Sequence, residues 1–329
     1  MSLRSIDIII NKNSKNDIVD ILDGQQIEDY WIFTSEKSLL VKCLVSTTTS
    51  EDLLDNIEKA FSSHKEFRVI IHPVEATLPR IAEKDDEKSI QKPGKNKIIR
   101  VGREELYYDL TTEADLNWNF IILIVLSSLV AGIGILQNNL AIIIAAMVIA
   151  PLIGPNMALA LATTLGDLWL AKKSAFTLLA GTLVALLICV IWGFYDPSVQ
   201  YISKQTNISY GDLVLALVSG VAGVLAILRG TSSALVGVMV AVALLPPWVR
   251  TGLFLGSGYV ENALYSFLIF SINVISLNLA GILTFLVAGI RPNKWWEVER
   301  AKIQTRKALA LWVSLFLILV IIIYFLQYR

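Results

Sequence analysis

The chain has 329 residues, 55% of them hydrophobic, and its 28 basic and 28 acidic side chains cancel to a net charge of zero. That apolar share exceeds what an ordinary soluble protein of this length carries, and the charge balance leaves no electrostatic footprint for nucleic acid. The hydrophobic residues are unevenly spread: residues 1–115 have the mix of a soluble domain, and nearly everything after Trp118 is apolar. Cys43 and Cys189 fall one in each part, so no disulfide framework is expected. Met1–Asn11 lacks the long apolar run of a signal peptide, so the first membrane segment is expected to serve as the insertion signal.

Leu3–Ile10 is Ile-rich and predicts a strand. Ser14–Leu22 predicts a short helix ending at Gly24. Gln26–Thr34 and Leu39–Ser46 predict two strands joined by a hairpin at Ser35–Ser38. Thr48–Phe61 places Leu53, Leu54, Ile57 and Phe61 on one helical face, with Ser50 as the expected N-cap. Phe67–Val74 predicts the last strand. The order β-α-β-β-α-β is the ferredoxin-like split pattern, here over residues 1–79. That fold serves many roles, and two readings stand: a regulatory or oligomerisation module, or a sensor of a small ligand. No Gly-rich phosphate loop or metal-ligand spacing occurs, so no cofactor or metal is expected. The two histidines, His64 and His72, read as surface or strand-edge residues.

Residues 80–97 are charged, carry Pro93-Gly94 and predict a linker. Residues 98–117 read as an amphipathic pre-membrane segment with Tyr107 and Tyr108, in which Thr112 and Asp115 have the spacing of a loose capping box. A plain tether is the alternative.

A spanning helix needs about 20 mostly apolar residues. Seven stretches qualify: Trp118–Leu136, Leu140–Leu165, Ser174–Phe194, Leu213–Leu228, Ser232–Leu255, Ala263–Ile290 and Leu309–Gln327. Basic residues mark one side of the membrane. Lys172 and Lys173 follow the second span, Arg229 the fourth, and Arg291, Lys294, Arg300, Lys302, Arg306 and Lys307 the sixth. The opposite loops hold only Lys204. The N-terminal domain is therefore expected in the cytoplasm and the C-terminus outside. Residues 118–290 form the expected transmembrane core, 291–308 a basic cytoplasmic loop, and 309–329 a final transmembrane helix.

Slid against itself by about 92 residues, Leu126–Ser174 overlays Val218–Ser266 without a gap. Ser127 meets Ser219, Met147-Val148 meets Met239-Val240, Pro155 meets Pro247 and Gly166 meets Gly258. Each copy would hold three spans, so the second would enter from the opposite face: an inverted 3+3 repeat.

The matching positions carry prolines. One copy reads Met147-Val-Ile-Ala-Pro151-Leu-Ile-Gly154-Pro155-Asn156, the other Leu245-Pro246-Pro247-Trp248-Val-Arg250. Proline removes a backbone donor, and the freed carbonyls need protein, water or solute. Paired breaks in two halves point to a solute site; simple packing kinks are the alternative. Arg250 would attract an anionic group, pair within the bundle, or snorkel to the outer interface. Asn273 and Asn278, with Ser271 and Ser276 nearby, would line a polar path or bond between helices. Gly132, Gly134, Gly220 and Gly223 read as close helix contacts.

Four stretches carry a family likeness: Arg103-Glu104-Glu105-Leu106-Tyr107, Met147 to Pro155, Gly237-Val-Met-Val-Ala-Val-Ala-Leu-Leu-Pro-Pro247, and Asn273. Over residues 98–290 the chain resembles the domain of unknown function 389 family, prokaryotic hydrophobic membrane proteins. It departs at Ala145, where the family more often has Gly. The resemblance implies an inner-membrane setting but supplies no activity. It makes Arg103, Glu104, Glu105 and Tyr107 candidates for coupling the linker to the bundle.

The residues thus predict a transporter or channel for an unidentified solute or ion, with Pro151, Gly154, Pro155, Asn156, Pro246, Pro247, Arg250, Asn273 and Asn278 along its path. A non-transporting sensor or scaffold is the alternative. An enzyme is not expected: no histidine lies in a span, Asp167 and Asp196 fall on opposite faces of the predicted topology, and Ser257 has no nearby base. A homo-oligomer is expected through sheet edges, with a trimer as the guess.

Overall fold

The computed structural model describes residues 3–25, 27–35, 38–62, 67–74, 77, 102–202, 210–230, 233–290 and 295–327. The linker expected at 80–97, His64 and Arg291–Lys294 lie outside them. The chain divides into two compact units, Met1–Leu106 and Tyr107–Arg329.

The first unit holds β1 (Leu3–Asn11), α1 (Lys15–Asp23), β2 (Asp29–Thr34), β3 (Ser38–Ser46), α2 (Thr47–Phe61) and β4 (Arg68–Val74). The strands lie in the order β2-β3-β1-β4, every neighbouring pair antiparallel. Side chains alternate across a strand, so Ile6, Ile8 and Ile10 of β1 and Leu39, Val41, Cys43 and Val45 of β3 share one buried face. Ile18 and Leu22 of α1 and Leu53, Ile57 and Phe61 of α2 close the core over it. Burial raises the Cys43 thiol to about 12, with a smaller push from Asp7. His72, on β4, stands 3.6 Å from Asp7. The N-cap of α2 is Ser46 rather than Ser50. Ser46 ends β3 with the extended backbone a cap requires and accepts from Thr49 N–H at 3.2 Å, while Ser50 is buried inside the helix.

Helix α3 (Arg103–Glu113) contains the division between the units, after Leu106. The second unit continues with α4 (Trp118–Leu136), α5 (Leu140–Ile149), α6 (Ile153–Leu165), α7 (Leu168–Tyr195), α8 (Tyr210–Leu228), α9 (Ser233–Gly256), α10 (Val260–Val287) and α11 (Trp295–Gln327). Among the described residues α4, α7, α10 and Ile303–Ile322 of α11 are long and apolar enough to cross a membrane; α5 and α6, bent by 56°, make a fifth span if taken together. Leu179, Leu183, Leu187 and Ile191 of α7 form an exposed apolar stripe, a surface suited to lipid rather than water.

The capping box at Thr112 and Asp115 does not form. Thr112 donates its hydroxyl back to Tyr108 O at 2.9 Å, and α4 is capped by Asn117, whose Oδ1 accepts from Phe120 N–H at 2.7 Å. The stretch expected as a basic loop at 291–308 is helical from Trp295 onward and extends α11.

The two proline pairs behave differently. Ala150 takes extended backbone, because Pro151 pushes its predecessor out of the helical region, and α5 ends there. At Pro246-Pro247 no break occurs: α9 runs on from Ser233 to Gly256 with both prolines inside it.

The 92-residue offset recurs in the element boundaries. It carries both ends of α4 onto those of α8, and both ends of α7 onto those of α10. It also carries left-handed Asn138 (φ 49°) onto Gly230 (φ 70°), and Gly166 (φ 68°) onto Gly258 (φ 81°). The loop bonds Asp167 N–H to Ala162 O and Tyr259 N–H to Phe254 O, both 2.9 Å, match at the same offset.

Contacts fix the helix directions. Gly181 of α7 faces Phe120 of α4, and Gly132 further along α4 faces Trp192, so α4 and α7 run parallel. Trp248 donates Nε1–H to Thr182 O at 2.8 Å and Gly252 faces Cys189, so α7 and α9 run parallel. Gly220 of α8 faces Leu277 of α10, and Leu213, near the start of α8, packs against the cluster of Leu268, Ile272, Ile275 and Leu319, so α8 and α10 run parallel. By contrast Ala243 meets Asn273 and Trp248 stacks on Phe270, which sets α9 antiparallel to α10.

Candidate functional site

Pro247 has no N–H to give the carbonyl four residues back, that of Ala243. Asn273, on α10, donates its Nδ2 to that oxygen at 2.7 Å. The neighbouring helix thus supplies the missing donor, and α9 passes its prolines without opening. Asn273 is 5% exposed. Its Oδ1 is buried with no hydrogen-bond partner among the described residues.

A cavity of about 240 Å³ lies beside this bond. Pro246, Pro247 and Arg250 of α9 and Asn273 and Ser266 of α10 line it, with Leu140, Ile143 and Met147 of α5 and Leu215 of α8. Arg250 is half-buried and, among the described residues, is the one ionisable side chain in that lining. Ser266, absent from the predicted path, faces the same space; no motif marked it.

A second cavity, about 320 Å³, sits at the break between α5 and α6. Pro151 and Gly154 line it with Glu113, Asp115 and Asn117. A Cβ on Gly154 would stand 2.6 Å from Glu113 Cβ, so only glycine lets α3 approach the break this closely. Neither cavity's lining contains both proline pairs. Pro155, Asn156 and Asn278 line neither. Asn278 Nδ2 donates to Asn156 Oδ1 at 3.1 Å and to Val274 O at 2.9 Å, while Asn156 Nδ2 donates to Leu152 O at 2.8 Å. This buried amide pair ties α6 to α10. Ser271 is half-buried and donates to Phe267 O, whereas the buried Ser276 hydroxyl has no partner among the described residues.

The stretch Arg103 to Tyr107 divides its contacts. In the first unit Arg103 donates to Asp55 at 3.2 Å and to its neighbour Glu104, and Glu51 accepts from Arg103 N–H. Glu105 pairs with the buried Arg4 at 2.9 Å. In the second unit Tyr107 donates its hydroxyl to Asp167 Oδ2 at 2.7 Å. The other oxygen of Asp167 caps α7 by accepting from Trp169 and Leu170 N–H. Burial first, and then Asp167, push the Tyr107 phenol up to about 12.

Two more ties at α7 escaped the sequence reading. Lys173 pairs with Asp115 at 2.6 Å and donates to Thr111 O, and Thr177 donates to Ala114 O at 2.8 Å. Both side chains satisfy backbone carbonyls at the C-terminal end of α3. No group of three His, Cys, Asp or Glu side chains suited to a metal occurs among the described residues.

A bundle of apolar helices following a small antiparallel α+β unit defines a polytopic helical membrane protein. The family model described as Domain of unknown function (DUF389) matches residues 147–279, which take in both proline pairs, Arg250, Asn273 and the Asn156–Asn278 pair. An uncharacterized protein of Methanocaldococcus jannaschii is 34% identical over 328 residues, covering 98% of this chain and 100% of its own. The chain belongs to the DUF389 family. No solved structure matches it.

Proposed function

We propose that the helical unit is a transporter or channel for a small solute or ion in a prokaryotic cell membrane. The observation that carries this reading is the cavity beside Pro247, where a cationic side chain and a buried amide face open space inside an apolar bundle. A bundle built only for anchoring would fill such a space with side chains.

The boundary correspondence and the helix directions support an inverted repeat of seven spans. In the first copy α4 and α7 run parallel; α9, the middle of the second copy, runs with them, while α10 runs against α9. Middle and flanking helices thus exchange directions between the copies, as opposite insertion requires. The N-terminal unit would sit in the cytoplasm as the regulator, its ferredoxin-like order giving it a sheet with one open face. Trp31 and Phe33 of β2 are exposed there, an apolar face suited to a homo-oligomer, for which a trimer is our choice.

The sensor or scaffold reading draws on the separation of the two cavities and on the packed amides of Asn156 and Asn278. Flux separates the readings. Full-length protein reconstituted in sealed vesicles should move at least one small ion or solute faster than empty vesicles. A broad screen with no flux above that background would overturn transport and leave the sensor.

A further inference from the structure

We infer that the open face of the N-terminal sheet docks on the same face of a second copy of the chain, about a two-fold axis that runs along the strands between β1 and β3. The inference rests on the homo-oligomer reading and names its contact. A two-fold contact closes at two copies, so this face joins the chain in pairs, and a trimer has to be held by other surfaces.

The strand pairing fixes what lies on that face. Helices α1 and α2 cover one side of the sheet, and alternation turns every second residue to the other. Three rows result, each crossing from β2 through β3 and β1 to β4. The middle row is Trp31, Lys42, Asp7 and Ile70. On one side of it lie Phe33, Leu40, Ile9 and Arg68, and on the other Asp29, Leu44, Ser5 and His72. Trp31, Phe33 and Ile70 are 45%, 54% and 39% exposed, a set of large apolar side chains that asks for a cover. The charges of Lys42 and Asp7 at the centre make the face unsuited to lipid.

The rows are self-complementary. A second sheet turned over about this axis keeps each row at its height and reverses its order. Lys42 of each copy then faces Asp7 of the other, and Trp31 faces Ile70. In the flanking rows Phe33 meets Arg68, a cation over a ring, while Leu40 meets Ile9 and Asp29 meets His72. The other two-fold, across the strands, would set Lys42 on Lys42 and Asp7 on Asp7. Sheets stacked face to face cross at about 30°, which leaves the middle row opposed. Asp7 also has room for a closer partner. On its own sheet Lys42 and His72 stand 3.7 and 3.6 Å away, and its Oδ1 accepts no hydrogen bond among the described residues.

The test is the mass of the detergent-solubilised full chain by light scattering, near neutral pH and at low salt, where charge contacts are least screened. The unchanged chain should be a dimer. Lys42→Glu or Asp7→Lys alone puts like charges across the axis twice and should weaken pairing about tenfold or more. Mixed in equal parts, the two variants should pair again, because each changed charge then meets its opposite. Each change also sets like charges together within one chain, which mixing does not relieve, so recovery on mixing reports contact between copies. Should either variant fail to fold, Trp31→Lys, at an exposed position, should weaken pairing as well. A mixture that stays monomeric overturns the two-fold arrangement. A trimer, or an oligomer that none of the three changes alters, keeps the homo-oligomer reading and overturns this contact. A monomeric unchanged chain overturns both.

Discussion

Asn273 and Ala243 lie 30 residues apart on different helices, yet the amide of one holds the carbonyl of the other at 2.7 Å. The bond stands in for the donor that Pro247 removed. Asn273→Ala should therefore lower stability by about 1–2 kcal/mol, the cost of a buried carbonyl left without a donor in a setting where interhelical bonds are modest. Pro247→Ala restores the backbone N–H, so the same Asn273→Ala change should cost clearly less in that background. Unfolding of the four proteins in a double-mutant cycle measures the coupling. Strict additivity would show that Asn273 does not answer for the proline.

The bond from Tyr107 to Asp167 has a pH signature. The phenol donates only while neutral, and burial with the adjacent carboxylate raises its value from the ordinary 10.0 to about 12. A folded-state value above the unfolded one stabilises fully below pH 10.0, and the contribution is lost as pH rises through about 12. Alkaline titration of unfolding temperature should show that loss in the unchanged protein, and Tyr107→Phe should be flatter over the same range. The variant should also be about 1 kcal/mol less stable at neutral pH. Matching alkaline curves for the two proteins would assign the bond no role.

Much of this was legible in the chain because two periods are hard to mistake. The alternation of Ile6, Ile8 and Ile10 and the four-residue spacing of Leu53, Ile57 and Phe61 place the strands and α2 within a residue, except β2, which begins at Asp29 rather than Gln26. The apolar stretches set the membrane helices as well, since burial and lipid contact both demand them. The sequence presents the two proline pairs as equal, and they are not. Whether a proline opens a helix depends on what can reach the carbonyl it strands, and Asn273 is distant in sequence. The same limit hid Lys173 and Thr177, whose partners are backbone oxygens at the end of α3. No residue type announces such a pairing.

The proposed seven spans make a prediction about sidedness. Cysteines placed singly at Lys172 and Arg291 should be labelled from one side of the membrane, and one at Lys204 from the other. The native cysteines need not be removed: Cys43 and Cys189 are fully buried, and the Cys43 thiol is held at about 12. They should stay unlabelled in the folded protein. Labelling of positions 172 and 291 from opposite sides would remove the inverted repeat.

The contact between α7 and α9 gives a graded prediction, because two glycines four residues apart meet different obstacles. A Cβ at Gly252 would overlap Cys189 Cβ, whereas a Cβ at Gly256 would overlap the Val190 carbonyl oxygen. Both alanine variants should lose stability, by about 1–3 kcal/mol, as overpacked sites do. The clash at Gly252 is with a side chain, so Cys189→Gly should recover part of the loss. At Gly256 the obstacle is backbone, and no side-chain change on α7 removes it. Unfolding temperatures of Gly252→Ala, Gly256→Ala and each combined with Cys189→Gly would test this. Rescue of Gly252→Ala alone is the expected result. Equal rescue of both, or of neither, would mean that the helices are not held together by close approach at these two positions.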